Sequence, residues 1–353
     1  MSSTPLHAPI AWADPAREAA FAAWLVAIKG QRLIVGSLRP ASSDASFRRY
    51  LRADLESGGS LVVMDAPPPQ EDVRPFVHVA GLIERAGLHA PRVLEADAAN
   101  GFLLLDDLGD QLYLGALQAA QAEGTSERAD ALMRDAIAAL VTWQLRLPGD
   151  ALPPYDDALL RRELALFPEW CVARECRAVW SAAETGIWQA ACDQLVASAL
   201  AQPTVAVHRD WMPRNLMVTE PNPGILDFQD AVHGPISYDI ASLLRDAFIS
   251  WDEAQEIDWA VRYWEAARKA GLPVAADFGE FWRALEWMGL QRHLKVLGIF
   301  SRLKHRDAKP AYSADLPRFF GYAHKIASRY SALRPLGRLL EPLMGTVRVE
   351  AFR

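Results

Sequence analysis

Apolar residues at Ala20, Phe21, Trp24, Leu25 and Ile28 recur at the spacing of one helical face. Asp14 precedes them as a candidate N-cap and Pro15 suits a first turn, so the pattern predicts a helix over 15–29 that stops at Gly30. From 32 to about 108 the texture changes. RLIVGSL, FRRYLRA, SLVVMDA, RVLEA and FLLLDD are short runs separated by clusters of Ser, Asp, Gly and Pro, and they predict up to five strands. Between the third and fourth, EDVRPFVHVAGLIERAG places Val73, Phe76, Val77, Ala80, Leu82 and Ile83 where a helix ended by Gly87 would bury them.

After Leu108 helical periodicity dominates. SERADALMRDAIAALVTWQLRL carries Leu132, Met133, Ala136, Ile137, Leu140 and Val141 as a core-facing stripe. Further helices are expected around 156–170, 184–200, 237–249, 253–270, 277–303 and 314–332. Among them TVAVHRD, NLMVTE and GILDFQD read as three short extended pieces joined by loops. An antiparallel sheet with a helix, followed by a larger helical part with a small β insert, is an α+β arrangement in two lobes, 1–108 and 109–353.

Composition narrows the class of protein. Of 353 residues 51 % are apolar, ample for two cores. With 37 Lys plus Arg against 44 Asp plus Glu, the formal charge of −7 argues against a nucleic-acid or anionic-membrane partner bound through bulk electrostatics. Cys171, Cys176 and Cys192 form an odd set without CxxC or Cys/His zinc spacing, which fits a reducing compartment. No run approaches the roughly 18 apolar residues of a membrane span, and the opening MSSTPLHAPIAWADP lacks the basic and then apolar regions of a signal peptide, so a cytoplasmic protein is expected.

The most informative stretch is VAVHRDWMPRNLMVTEPNPGILDFQDAVHGPISYDIASLLRD, residues 205–246. His208, Arg209 and Asp210 follow an apolar strand, Asn215 comes five residues after Asp210, and Asp227 heads a DFQ triplet after another apolar strand. Phosphoryl transfer from ATP needs one carboxylate to accept the acceptor's hydroxyl proton, and an amide oxygen with a second carboxylate to hold Mg²⁺ against the triphosphate. Asp210 is the candidate base; Asn215 and Asp227 are the candidate metal ligands.

HRDWMPRN followed by ILDFQD resembles the catalytic segment of protein-kinase-like enzymes, and more closely that of the aminoglycoside phosphotransferase family of small-molecule kinases. The resemblance covers most of the chain in lobe order. It implies a protein-kinase-like two-lobed fold, with a small antiparallel-sheet N-lobe that binds the nucleotide and a larger, mainly helical C-lobe that carries the catalytic loop and acceptor site. It also implies that Asp239 braces the catalytic loop, and that His208 and Arg209 hold backbone geometry rather than touch substrate. MDAPPP, HRDWMPRNLMV, DFQDAVHGPISYD and QRHLKVLGIFSRL place it nearest the bacterial branch that phosphorylates the anomeric hydroxyl of N-acetylmuramate and N-acetylglucosamine in cell-wall recycling. The implied cofactors are ATP and Mg²⁺ and the implied partner is a small amino sugar, with a monomer left open as the oligomeric state.

On the nucleotide side, RPASSDASFRRY contains no glycine, yet the backbone N–H groups and side chains of Ser42, Ser43, Asp44 and Ser46 could cover phosphates; an ordinary hairpin turn is the plainer alternative. The family pattern places a basic residue on the third strand, where LVVMDAP offers Met64 and Asp65. Alternation in FRRYLR sets Arg48 and Arg49 on opposite faces, and one of them is expected to substitute, Arg49 being taken into the candidate set. Asp106, Asp107 and Leu108 follow the fifth strand, where backbone groups would pair with the adenine edge. Candidates for the acceptor are Arg214, Asp230, His233 and Arg292, with Glu169, Trp170, His293 and Lys295 behind them; Asp230 could equally extend the metal site or cap a turn. Arg292 and Lys295 lie three apart on one predicted helix face, which would suit a carboxylate but reads most simply as a solvated face. Phe281, Trp282 and Trp287 read as core. Two other readings stay open: a kinase of an aminoglycoside or choline-like amine, and a nucleotide-binding pseudokinase, which the missing cation favours and the presence of Asp210, Asn215 and Asp227 opposes.

Overall fold

The computed structural model describes residues 10–43 and 47–350, and the chain divides into two compact units. One is built from the residues up to Gln111 together with Met217–Asp230; the other comprises Leu112–Leu216 and the chain from Ala231 onward.

The first unit holds a five-stranded sheet of β1 (Arg39–Ser43), β2 (Arg49–Asp54), β3 (Ser60–Asp65), β4 (Val93–Asp97) and β5 (Phe102–Asp106), ordered β1-β2-β3-β5-β4 with antiparallel neighbours. The first strand is displaced from the run RLIVGSL. That run makes only the bridge of Leu33 to Leu55 and a 3₁₀ turn at Val35–Ser37, and the strand begins at Arg39. β1 is an edge strand, where Pro40 can be tolerated without a ladder N–H. Ser42 and Ser43 therefore fall inside the ladder, opposite Tyr50 and Arg49, while Asp44 and Ser46 lie outside the described residues.

Side chains alternate between the two faces of the sheet. On one face Leu51, Leu61, Val63, Phe102 and Leu104 bury themselves against Phe21 and Leu25 of α1 (Pro15–Ala27), whose first turn is capped by Asp14 accepting from the Ala16 N–H at 2.9 Å. Asp65 points to that same face and is 1 % exposed. Arg17 of α1 donates to it through Nε at 2.9 Å, and Arg49, its cross-strand partner, does likewise at 2.9 Å. Arg49 also lies over the Trp12 ring at 4.0 Å. α2 (Arg74–Arg85) runs into the left-handed Gly87 and buries Phe76, Val79, Ala80, Leu82 and Ile83; Val77, expected in the stripe, is exposed because it lies one residue off the 76–80–83 row.

The second unit is mainly helical: α3 (Tyr113–Glu123), α4 (Ser126–Arg146), α5 (Asp157–Leu166), which continues into π-helical turns at Phe167–Glu175, α6 (Ala182–Leu200), α7 (Tyr238–Leu244), α8 (Glu253–Ala270), α9 (Phe278–His305), α10 (Leu316–Arg329) and α11 (Arg334–Glu350). All six stripe residues of α4 are buried. α3 and α11 escaped the sequence pattern: one is rich in Ala and Gln, with few large apolar residues to mark a face, and the other is interrupted by Gly337 and Pro342. The helix expected over 237–249 ends at Leu244. Beyond it the Arg245 guanidinium is held by Glu256 at 3.0 Å and Glu286 at 3.2 Å. β6 (Thr204–Val207) pairs antiparallel with β7 (Val232–Pro235), a strand that its Gly and Pro concealed. α9 packs against α5, α7 and α10, so it has little solvated face; Arg292 and Lys295 are 2 % and 7 % exposed, which corrects the solvated-face expectation. Phe281 and Trp287 are core, as expected, and the three cysteines are free and buried. Among the described residues no helix is long and apolar enough to cross a membrane.

Asp65→Ala leaves two arginines facing an apolar contact of helix on sheet. Removing one partner of a buried pair costs about 3–5 kcal/mol. Because the Arg49 side chain keeps 36 % of its surface in water, the expected loss is near the lower end, about 3 kcal/mol, read as a lower urea midpoint at unchanged m-value.

Candidate active site

In the helical unit, β6 delivers the chain into a sharp loop. Burial fixes its start: His208 is fully buried, its ring 5.2 Å from Trp143 and 5.5 Å from Trp211. Asp239, in the first turn of α7 and likewise buried, accepts the His208 N–H at 2.7 Å and the Arg209 N–H at 3.0 Å, one on each oxygen. Burial pushes the Asp239 carboxyl up to about 7, and the two N–H donors pull against that. This double acceptance holds Arg209 at φ 76°, a left-handed conformation uncommon for a residue with a side chain. The brace implied for Asp239 is thus present.

The Arg209 guanidinium bonds to Glu163 of α5, which also takes Lys295 at 3.0 Å and the Tyr155 hydroxyl. Burial would raise the Glu163 carboxyl, but the two cations and the hydroxyl more than offset it and hold it at about 2. Beyond the strained residue, Asp210 is half-buried, and its carbonyl accepts from the Met212 N–H at 2.9 Å and from the Asn215 side-chain amide at 3.0 Å. With its nitrogen committed there, the planar Asn215 amide presents its oxygen to the other side. Arg214, between them, lies over the Phe248 ring at 4.7 Å.

Asp227 belongs to the sheet unit. The two-residue strands Leu216–Met217 and Gly224–Ile225 pair, Ile225 donates to the His89 carbonyl at 2.8 Å, and the buried Phe228 ring stacks 4.6 Å from Phe76 of α2. Between these anchors Asp227 takes φ 59° and accepts from Gln229 at 2.9 Å. Arg48 lies beside it at 3.4 Å and faces Glu71 at 4.0 Å. Arg48, Met64, Glu71, Asp72, Gln229 and Asp230 line a cavity of about 340 Å³. A carboxylate turned out of a left-handed kink beside a guanidinium suits a hard cation and the phosphates it accompanies, so the residues present fit a metal–nucleotide pair.

The remaining candidates fall in several places. Of the two arginines it is Arg48 that adjoins Asp227, while Arg49 is committed to Asp65 on the opposite face of the sheet. The Asp106 N–H is spent on the Arg92 carbonyl at 3.1 Å, whereas Leu108 makes no backbone hydrogen bond among the described residues. Asp107 is tied to Arg52 at 2.6 Å and to the Ser60 hydroxyl at 2.5 Å; burial opposes its ionisation, but these donors hold its carboxyl below the ordinary range. His233 sits within β7, its N–H spent on the Pro153 carbonyl at 2.8 Å. Glu169 and Trp170 lie on the π-helical turns, and Lys295 is neutralised by Glu163. Glu163 and Glu71 were not singled out from the sequence: a lone Glu on a predicted helix, or ahead of one, gives no signal until its partners are known.

Comparison with known proteins sets this geometry in context. The model of the phosphotransferase enzyme family matches residues 37–278. An N-acetylmuramate/N-acetylglucosamine kinase of Pseudomonas aeruginosa is 54 % identical over 308 residues, covering 87 % of this chain and 88 % of that protein. Its namesake from Pseudomonas putida is 53 % identical over 314 residues, covering 89 % and 90 %. Among solved structures, an amicoumacin kinase in complex with AMP-PNP, Ca²⁺ and Ami shares the fold at a TM-score of 0.59 with 13 % identity, covering 91 % of this chain and 98 % of that one.

Asp239→Asn offers one acceptor oxygen to two N–H donors and turns an NH₂ group against the second. The unsatisfied donor is expected to cost about 1–3 kcal/mol of stability in urea. Turnover should fall about tenfold or more while KM changes less, since Asp239 acts by positioning the loop. Stability lost at unchanged turnover would show that the loop keeps its shape without this brace.

Proposed function

The chain belongs to the phosphotransferase enzyme family, and on that premise we propose that it is an ATP- and Mg²⁺-dependent kinase that phosphorylates the anomeric hydroxyl of N-acetylmuramate and N-acetylglucosamine. The observation that carries the reading is the HRDWMPRN loop, clamped by Asp239 so that Asp210 and Asn215 emerge from one short turn, in a chain about half identical to kinases of those two sugars. The buried, free cysteines fit the reducing interior in which such an enzyme would work.

In this reading Asp210 orients the acceptor and takes its proton. A hemiacetal hydroxyl is more acidic than an ordinary alcohol, so a carboxylate of modest basicity suffices and positioning supplies much of the rate. The Asn215 amide oxygen and the Asp227 carboxylate are the proposed metal ligands. Bound Mg²⁺ would neutralise charge on the transferring phosphoryl group. Arg48, rather than Arg49, supplies the phosphate-side cation that Met64 does not, and the unengaged backbone of Leu108 is suited to an adenine edge. Residues 1–108, joined by Met217–Asp230, would then serve the nucleotide, and the rest of 109–353 the catalytic loop and acceptor.

Incubation with ATP, Mg²⁺ and a panel of amino sugars, aminoglycosides and choline, followed by ³¹P NMR, is expected to give an anomeric sugar phosphate; turnover of the other acceptors instead, or of none, overturns the assignment. Asp210→Asn should lower kcat by about 10²–10⁴-fold at unchanged urea midpoint, and near-normal turnover would show that the base lies elsewhere. Arg48→Met should weaken ATP binding about tenfold or more by calorimetry, the scale of one lost charge-assisted contact. Arg49→Met should change that affinity less than about threefold and lower stability instead. The reverse order would return the role to Arg49.

A further inference from the structure

α9 runs beside the catalytic loop and carries a buried cation that Asp246 and Asp239 attract through space without a salt-bridge contact. Arg292 is 2 % exposed, its Nη2 faces the Met212 sulfur at 3.9 Å, and its Nη1 has no hydrogen-bond partner. Thioether sulfur is a weak acceptor. Among the described residues no carboxylate stands within ion-pair distance of Arg292, whereas Lys295, three residues further along the same helix, has Glu163 at 3.0 Å. A buried guanidinium is costly unless paired, and buried polar atoms in native proteins are nearly always satisfied by protein, water or ligand, so Nη1 of Arg292 is open to an incoming partner.

A second orphan adjoins the same loop. Asp246, two residues beyond α7, is fully buried; its Oδ1 accepts from the Ala247 N–H at 2.6 Å, and its Oδ2 has no partner. Two residues on, Phe248 packs under Arg214 of the catalytic loop. Arg292 through Met212, and the Asp246 segment through Arg214, thus both touch the residues between Asp210 and Asn215. The two attract each other through space, yet Nη1 of one and Oδ2 of the other lack a hydrogen-bond partner, and together they complement an acid bearing free hydroxyls.

We propose that Arg292 recognises a carboxylate on the acceptor sugar and thereby sets the preference for N-acetylmuramate, whose lactyl ether carries one, over N-acetylglucosamine, which has a hydroxyl in its place. The inference rests on the amino-sugar reading above and adds the residue that tells the two sugars apart. Arg suits the task because its planar fork meets a carboxylate in two parallel bonds.

The test measures kcat/KM on both sugars for the wild type, R292M and R292K, with a urea midpoint for each. R292M is expected to lose about 10–100-fold on N-acetylmuramate, the scale of one lost charged hydrogen-bonding contact, and at least about tenfold less on N-acetylglucosamine, mostly through KM. R292K, which keeps the charge without the fork, should fall between, and it decides the question if R292M fails to fold. Equal losses on both sugars, or an unchanged ratio in R292K, would overturn the inference and leave Arg292 a support for the loop. A wild type that phosphorylates neither sugar would overturn the functional reading and this inference with it, an outcome distinct from equal losses.

Discussion

One carboxylate shapes the loop on which the proposed catalytic residues stand. Asp239 accepts two consecutive backbone N–H groups from a fully buried position, and a chain that presents both to one side chain must turn sharply. The turn carries Arg209 into left-handed space, and local strain of this kind costs about 1–3 kcal/mol, held only because the surroundings over-determine it. His208 between two tryptophans and Arg209 on Glu163 supply that surrounding grip. Asp210, the proposed base, is then placed by its neighbours.

Charge is handled in the same spirit elsewhere. Asp65 joins α1 to β2, Glu163 joins α5 to α9 and the loop, and Arg245 joins the end of α7 to α8 and α9 through Glu256 and Glu286. Desolvation offsets much of the attraction within such pairs, so their net stabilisation is small. What they fix is relative placement, because a helix that slid by one turn would strand a charge. Against that background the two buried cations of α9 differ, Lys295 being paired with Glu163 while Arg292 has no ion-pair partner among the described residues.

Legibility in the sequence followed the strength of the periodic signal. α4 shows its stripe because six apolar residues recur over nearly three turns, and α1 because a cap, a proline and a stripe agree. β1 was misplaced because RLIVGSL is more strand-like than RPASS, and only pairing with β2 selects the latter. The HRDWMPRN and DFQ spacing carried the family resemblance because it sets a carboxylate, an amide and a second carboxylate in the order of kinase-like catalytic segments, and the match to the phosphotransferase enzyme family bears that resemblance out. Which of two adjacent arginines adjoins Asp227 was not, since it depends on Asp65 being buried under α1 and claiming Arg49. The burial of Arg292 and Lys295 was hidden for a related reason: α9 is charged enough to read as amphipathic, yet helices surround it.

The interrupted make-up of the sheet unit bears on how the protein is made. Its sheet is complete in sequence by residue 106, but Ile225 bonding to His89 and Phe228 stacking on Phe76 come from a segment more than a hundred residues later. Chain emerging from a ribosome would therefore hold an unfinished sheet unit until Asp230 is out, with all of α3–α6 already synthesised. No single cut yields either unit whole, which favours coupled over sequential maturation.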